Sequence, residues 1–411
     1  MNEEELKQKS PENLKQGFIP YILLTALITA CTLIVLLSYF GLLSFANTVE
    51  FSNGRHDPKS VEKLQQVWNA ISQDFYQPVD EDKMLEDAAA AIAASVDDVY
   101  TTYFSKKEME AFSERTSGSF QGIGVFVSVE ENGRLIIRSM TEDSPAREAG
   151  VMVDDEIVSV AGVNVEEIGD EDKIISLIKG EENTKVAIGF FRPHANEVIE
   201  LEITRRKIKT ENILSKIIDN DIGYIQILMF DNEAEDYFEQ HLNKLIDSDV
   251  KGLIIDLRDN PGGNYEETTK IVDRLIGEGV IVYTEDRNGK REYKNSDAKK
   301  IDLPLRVLVN GDSASASEIL AGALKDHQAG MLIGTRTFGK GLVQVVQQLR
   351  DGSGLKYTRA RYFTPNGVCI QGEGIEPDFV VEMPEEYKTW TIADIPMEQD
   401  LQLQAALSSF E

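Results

Sequence analysis

Hydrophobic and polar positions divide the 411-residue chain into stretches of different period. Residues 19–49 carry no charge at all. Their apolar core exceeds the roughly 20 residues that a helix needs to cross a bilayer, and it is too long for the h-region of a signal peptide. The run predicts a transmembrane anchor over 19–46 behind a short cytoplasmic head, residues 1–18. Ser44-Phe45-Ala46 also reads as a weak cleavage site, which leaves a removed signal as the alternative. Lys7, Lys9 and Lys15 precede the run and Arg55, Lys59 and Lys63 follow it, so basic residues orient it only weakly.

Beyond the run, residues 58–116 show helical spacing. Val61, Leu64, Val67, Trp68 and Ile71 share one face, and the alanine-rich stretch 88–94 favours helix. At Gly118 the period changes to two. Residues 117–206 predict a β-rich module with strands near 120–127, 135–137, 155–160, 185–191 and 198–204. A helix start at Ser144-Pro145 and a helix at 174–178 interrupt them. Residues 207–383 alternate strand and helix, with strands at 222–227, 252–258 and 305–310 and a helix at 237–246. The tail, 384–411, ends in a short amphipathic helix at 401–407. The expected fold is multidomain, α+β and α/β: a transmembrane helix, a helical segment, a β-rich module and a core built on an α/β sheet.

The net charge is −29. An acidic surface cannot neutralise phosphate, which excludes nucleic acid as a partner. Cys31 and Cys369 are too differently placed to predict a disulfide. His56, His194, His241 and His327 are scattered without metal spacing, so no metal or other cofactor is implied.

In sheets of this kind, ligand sites gather at the carboxyl ends of strands. Two small-residue loops fall there. Gly311-Asp312-Ser313-Ala314-Ser315-Ala316-Ser317-Glu318 follows the strand at 305–310 and enters a helix. Ser315 is thus placed at a helix N-terminus, where free N–H groups and the dipole stabilise negative charge. The plainer alternative is that all three serines are N-caps. Lys340 lies between Gly339 and Gly341, ahead of the apolar stretch 342–346. Burial there disfavours the ammonium form and makes the amine a base, whereas a lone lysine is more often solvated. Gln344, four residues on, is placed to orient that amine. Asn260-Pro261-Gly262-Gly263 supplies backbone N–H groups which, with that of Ala316, suit an oxyanion; the alternative is a simple tight turn.

Two resemblances extend this reading. Ser144-Pro145-Ala146 followed by Ala149-Gly150-Val151, within its succession of strands, resembles a PDZ domain. Asp154 departs from it, standing where that family usually has Gly, and Asp tolerates the left-handed backbone. The resemblance implies a loop that receives a peptide C-terminus: Phe120, Gln121, Gly122, Ile123, Gly124 and Val125. Residues 252–263, 313–326, 334–344, Arg361-Tyr362-Phe363-Thr364-Pro365-Asn366-Gly367 and Gly374-Ile375-Glu376-Pro377-Asp378 resemble the carboxyl-terminal processing proteases of peptidase family S41. Val96-Asp97-Asp98-Val99-Tyr100-Thr101-Thr102-Tyr103 is similar to a helical element before that family's PDZ domain. The resemblance implies a serine endopeptidase with a Ser-Lys dyad: Ser315 as nucleophile, Lys340 as general base, Gln344 orienting the lysine, and Gly262 and Gly263 in the oxyanion loop. It also implies substrates among exported or membrane-associated proteins, recognised by their C-termini through a PDZ domain that can gate the protease. The expected location is a bacterial cell membrane, single-pass, with the catalytic part extracytoplasmic; a homo-oligomer is open to it. The alternatives are a non-catalytic PDZ adaptor that tethers protein tails and, more remotely, an acyl-CoA enzyme, for which no nucleotide-binding feature is present.

Overall fold

The computed structural model describes residues 58–410 except 131, 132, 142, 220, 388 and 389. The head and transmembrane anchor expected over 1–18 and 19–46 lie outside the described residues; among the described residues no helix is long and apolar enough to cross a membrane. Two compact units divide at Glu81. The first contains helix α1 (Pro58–Asp74), which starts on a proline, as helix entries allow.

The second unit runs from Asp82. Its chain leaves α2 (Glu81–Ala94), pairs as β1 (Thr102–Phe104) and enters α3 (Lys106–Ser117). The stretch 96–101 is therefore a turn, and the helical element expected there is not formed. Asp97 takes φ +51°, and the Asp98 carboxylate accepts the Tyr100 N–H and the Thr101 hydroxyl. Such local bonds compete with helix. Ser105 and Glu108 cap α3 reciprocally, and Gly118 ends it at φ +68°.

The β-rich module follows. β2 (Ser119–Gly122) leads into an antiparallel sheet of β3 (Val125–Val129), β4 (Leu135–Met140), β5 (Glu156–Val160) with its short partner β6 (Val163–Asn164), β7 (Lys185–Arg192) and β8 (Glu197–Thr204). Three helices accompany it: α4 (Pro145–Glu148), α5 (Val165–Ile168) and α6 (Glu171–Ile178). Ile123, Ile137, Ile157, Val160, Ile188 and Phe190 share its core. Asp154 sits at φ +70°, the left-handed backbone that its short polar side chain tolerates. β9 (Arg206–Lys209) returns to pair with β2.

The core has two sheets. The larger has the order β10 (Ile213–Ile218), β11 (Ile222–Ile227), β12 (Gly252–Asp256), β15 (Leu305–Val309), β16 (Gly330–Gly334), β19 (Phe379–Val380), and it is parallel from β11 onward. Helices α7 (Ala234–Asp247), α8 (Tyr265–Leu275) and α9 (Ala316–Asp326) contribute to the cluster on one face. Helix α10 (Leu401–Ser408) packs on the other. β12 shows the consequence: Leu253 and Ile255 join the first cluster and Ile254 the second. A strand covered on both faces reads as a continuous apolar run, as 253–255 does before Asp256. The second sheet contains β1, β13 (Gly279–Asp286), β14 (Arg291–Ser296), β17 (Leu342–Gln348) and β18 (Gly354–Phe363).

A buried ionic network fixes the carboxyl end of β12. Arg258, 1% exposed, donates to both carboxylate oxygens of Asp400 at 2.8 Å, to Gln402 and to Asp256. The Tyr224 hydroxyl donates to Asp256 from β11. Burial opposes the Arg258 charge, but the Asp256 and Asp400 carboxylates outweigh it and hold the guanidinium firmly protonated. The segment before α10 is thereby tied to the residues that begin the Asn260-Pro261-Gly262-Gly263 turn.

Candidate active site

The flanking serines of the Gly311–Glu318 stretch have structural work. Ser313 Oγ donates to the Leu257 carbonyl at 2.7 Å and Ser317 Oγ to the Asn260 carbonyl at 2.9 Å, and both residues are fully buried. They stitch the β15–α9 turn onto the β12 turn. Ser315, between them, faces a cavity of about 320 Å³ that is also lined by Gly263, Ala316, Lys340, Gln344 and Tyr362. The sequence motifs that lie far apart in the chain thus meet at one place.

Ser315 holds φ +57°, ψ −111°. A non-glycine residue in such a region costs about 1–3 kcal/mol and persists only where its surroundings over-determine it. They do so here. Its N–H donates to Glu318 Oε2 at 2.8 Å, and its carbonyl accepts from the N–H groups of Glu318 and Ile319. Glu318 is completely buried, and its carboxylate accepts three further bonds: from the Thr337 hydroxyl, the Gly339 N–H and the Lys340 N–H, at 2.6–2.8 Å. One carboxylate therefore clamps the serine turn to the lysine loop. The Tyr362 hydroxyl reaches the carbonyls of both Ser315 and Lys340. Sequence reading missed Glu318 and Tyr362 in these positions. A glutamate in a helix's first turn ordinarily serves its own helix, and Glu318 gave no signal beyond that.

Lys340 is half-buried. Burial lowers its tendency to hold a proton, Lys356 adds to this, and Glu318 and Asp98 oppose it. Gly339, at φ +90°, brings the loop so close to residues 372–374 that a Cβ would lie 2.9 Å from the Gly374 nitrogen. Among the described residues no hydrogen bond joins Lys340 Nζ to Ser315. The amine lies instead over the Tyr100 ring, 4.8 Å from its centroid. Gln344 does not bond the lysine either: its Nε2 donates to Thr358 Oγ1 at 3.4 Å, across the β17–β18 ladder.

The two glycines of the Asn260-Pro261-Gly262-Gly263 turn differ as oxyanion donors. The Gly262 N–H is committed to Asn260 Oδ1 at 2.8 Å, so Gly262 offers no free donor. Among the described residues the N–H groups of Gly263 and Ala316 have no internal partner, and both residues line the cavity. Gly262 has a steric role. It sits at φ +102°, and a Cβ there would stand 2.7 Å from the Ala314 carbonyl and 2.8 Å from Ser315 Cβ. Gly262→Ala is accordingly expected to push the two turns apart and lower turnover by about 10²–10³-fold, the usual cost of a lost oxyanion donor; steady-state rates on a peptide substrate check this.

A second cavity, of about 410 Å³, lies along β3 and α6. Phe120, Gly122, Ile123, Gly124 and Val125 line it with Ile175 and Ile178, so its wall is mostly apolar. The N–H groups of Ile123 and Gly124, between β2 and β3, have no internal partner among the described residues. Gln121 is not part of the lining; its side chain accepts the Glu182 N–H at 3.1 Å. Helix α3 stands between the two cavities: Glu114 and Arg115 line the groove, while Phe112 and Thr116 line the chamber of Ser315. Met229 lines both.

Comparison with known proteins agrees with this architecture. The model of peptidase family S41 matches residues 221–381, and that of the PDZ domain matches residues 136–192. The chain is 35% identical over 329 residues to the carboxy-terminal processing protease CtpA of Bacillus subtilis (strain 168), covering 80% of this chain and 70% of that protein. It is 32% identical over 372 residues to a probable CtpA-like serine protease of Staphylococcus aureus (strain COL), covering 90% and 73%. The solved photosystem II D1 C-terminal processing protease is 29% identical with a TM-score of 0.48, covering 80% of this chain and 95% of that one. The chain belongs to the carboxy-terminal processing proteases of family S41 and is a serine-type peptidase with a PDZ domain. The adaptor alternative gives way to that membership.

Proposed function

We propose that this protein is a membrane-anchored endopeptidase that binds the C-termini of exported or membrane-associated proteins in the groove along β3 and cleaves them with a Ser315–Lys340 dyad. The observation that carries the reading is the Glu318 clamp, which holds the serine turn and the lysine loop on one chamber. Neutral Lys340 accepts the Ser315 Oγ proton as Oγ attacks the scissile carbonyl. A C–O bond forms and the carbonyl electron pair moves onto oxygen, where the N–H groups of Gly263 and Ala316 stabilise it. Collapse breaks the C–N bond, and the Lys340 ammonium returns its proton to the leaving amine. Water then attacks the acyl-serine, again deprotonated by Lys340, and Ser315 is restored. The anchor is the apolar run at 19–46, with the catalytic part outside the cell.

A protonated lysine cannot serve as base. The rate is expected to fall as pH falls through the Lys340 value, which burial sets below the ordinary 10.5. Labelling with a fluorophosphonate followed by peptide mapping tests the assignment. The adduct is expected on Ser315, with a labelling rate that rises with pH, and Lys340→Ala is expected to label only at the background rate. An adduct on another serine, or unchanged labelling of Lys340→Ala, overturns the dyad.

A further inference from the structure

The turn at 96–101 is joined to the lysine site by contacts that the dyad does not explain. Tyr100 presents its ring to the Lys340 amine. Asp98 accepts the Thr358 hydroxyl at 2.7 Å, besides the Thr101 hydroxyl and the Tyr100 N–H. Thr358 in turn accepts from Gln344. A single chain of contacts therefore runs from Gln344 through Thr358 to Asp98, and Tyr100 completes the seat on which the amine rests. These residues come from separate parts of the sequence, and the same bonds also tie the turn to β18.

We propose that Asp98 and Tyr100 are positioning residues that hold Lys340 as an ammonium away from Ser315 and set the pH at which it becomes a base. The inference rests on the dyad reading. A ring face and a carboxylate both favour the charged amine over the neutral one. The seat therefore opposes the burial that frees Lys340 of its proton. Burial pushes the Asp98 carboxyl up, but the bonds from Thr101, Thr358 and the Tyr100 N–H, with Lys340 nearby, carry it below its ordinary value. It is thus anionic wherever the enzyme works. The other charged groups that face Lys340 are Lys356 on β18, which disfavours the ammonium, and Glu318 on α9, whose oxygens already take four hydrogen bonds. Asp98 is the carboxylate on this side that a substitution can neutralise without dismantling the clamp.

The test follows the rate of fluorophosphonate labelling of Ser315 against pH in the full chain. Asp98→Asn preserves the shape of the turn and removes the charge; its midpoint is expected to move to lower pH by about one unit. Tyr100→Leu removes the ring and is expected to shift the midpoint in the same direction, while Tyr100→Phe keeps the ring and the wild-type midpoint. Should Asp98→Asn lose its near-ultraviolet circular dichroism, the Tyr100 pair decides. Slower labelling at every pH with an unmoved midpoint in Asp98→Asn and Tyr100→Leu overturns the proposal and leaves the dyad standing, provided Lys340→Ala stays unreactive. A Lys340→Ala protein that labels with the wild-type midpoint removes the dyad itself, and the proposal with it.

Discussion

Ser315→Ala and Lys340→Ala are each expected to lower kcat/KM on an unfolded protein or peptide by about 10⁴–10⁶-fold, the range in which nucleophile and base act as one unit. The double variant is expected to lose little more than either single one, because an absent base and an absent nucleophile disable the same step. Lys340→Arg is the sharper probe. Arginine keeps the positive charge and much of the packing, yet its guanidinium does not give up a proton in a protein. A lysine that serves only as an electrostatic anchor tolerates this change; a general base does not. Lys340→Arg is expected to be as inactive as Lys340→Ala, and activity above a tenth of wild type would exclude Lys340 as the base. Binding of a peptide C-terminus is expected to survive all three changes, since the groove along β3 is lined by other residues; titration calorimetry with an uncleaved peptide separates the two effects.

The serine and lysine loops were legible in the sequence because each announces itself locally. A buried strand runs into small residues, a helix follows, and glycines flank a lysine. The β-rich module was equally plain in its period and its turn residues. What the sequence left hidden lies in which side chain takes up which polar group, near or far along the chain. Gly262 and Gly263 look equivalent as letters, and only the Asn260 side chain, folded back onto the Gly262 N–H, distinguishes them. Gln344 was read as a partner of Lys340 from its spacing and from the family resemblance, whereas its side-chain amide donates to Thr358. Its partner is set by the neighbouring strand β18. The helical element at 96–103 was implied by the family resemblance, whereas the Asp98 carboxylate takes up the Tyr100 N–H and the Thr101 hydroxyl and folds 96–101 as a turn.

Asp400→Ala is expected to destabilise the second unit by about 3–5 kcal/mol, the cost of stranding one member of a buried ion pair. Arg258 has no access to solvent and spends two of its donors on Asp400. Without that carboxylate the guanidinium keeps Asp256 and Gln402 but loses its second counter-charge. Asp400→Asn retains an acceptor and is expected to cost less, in the order wild type, Asn, Ala. Urea unfolding followed by tryptophan fluorescence measures the differences, and equal stability of all three proteins would show that Asp256 alone suffices. Activity is expected to fall together with stability, because Arg258 stands two residues before the turn whose Gly263 faces the chamber.

The distance along the chain between Arg258 and Asp400 has a consequence for biogenesis. Every catalytic loop has been synthesised once Gln344 is complete, yet the guanidinium that braces the oxyanion turn still waits for a carboxylate 142 residues downstream of it. A nascent protein halted before that point carries the Ser315 and Lys340 loops on an unbraced scaffold, so full cutting power should arrive only once residue 400 has been added.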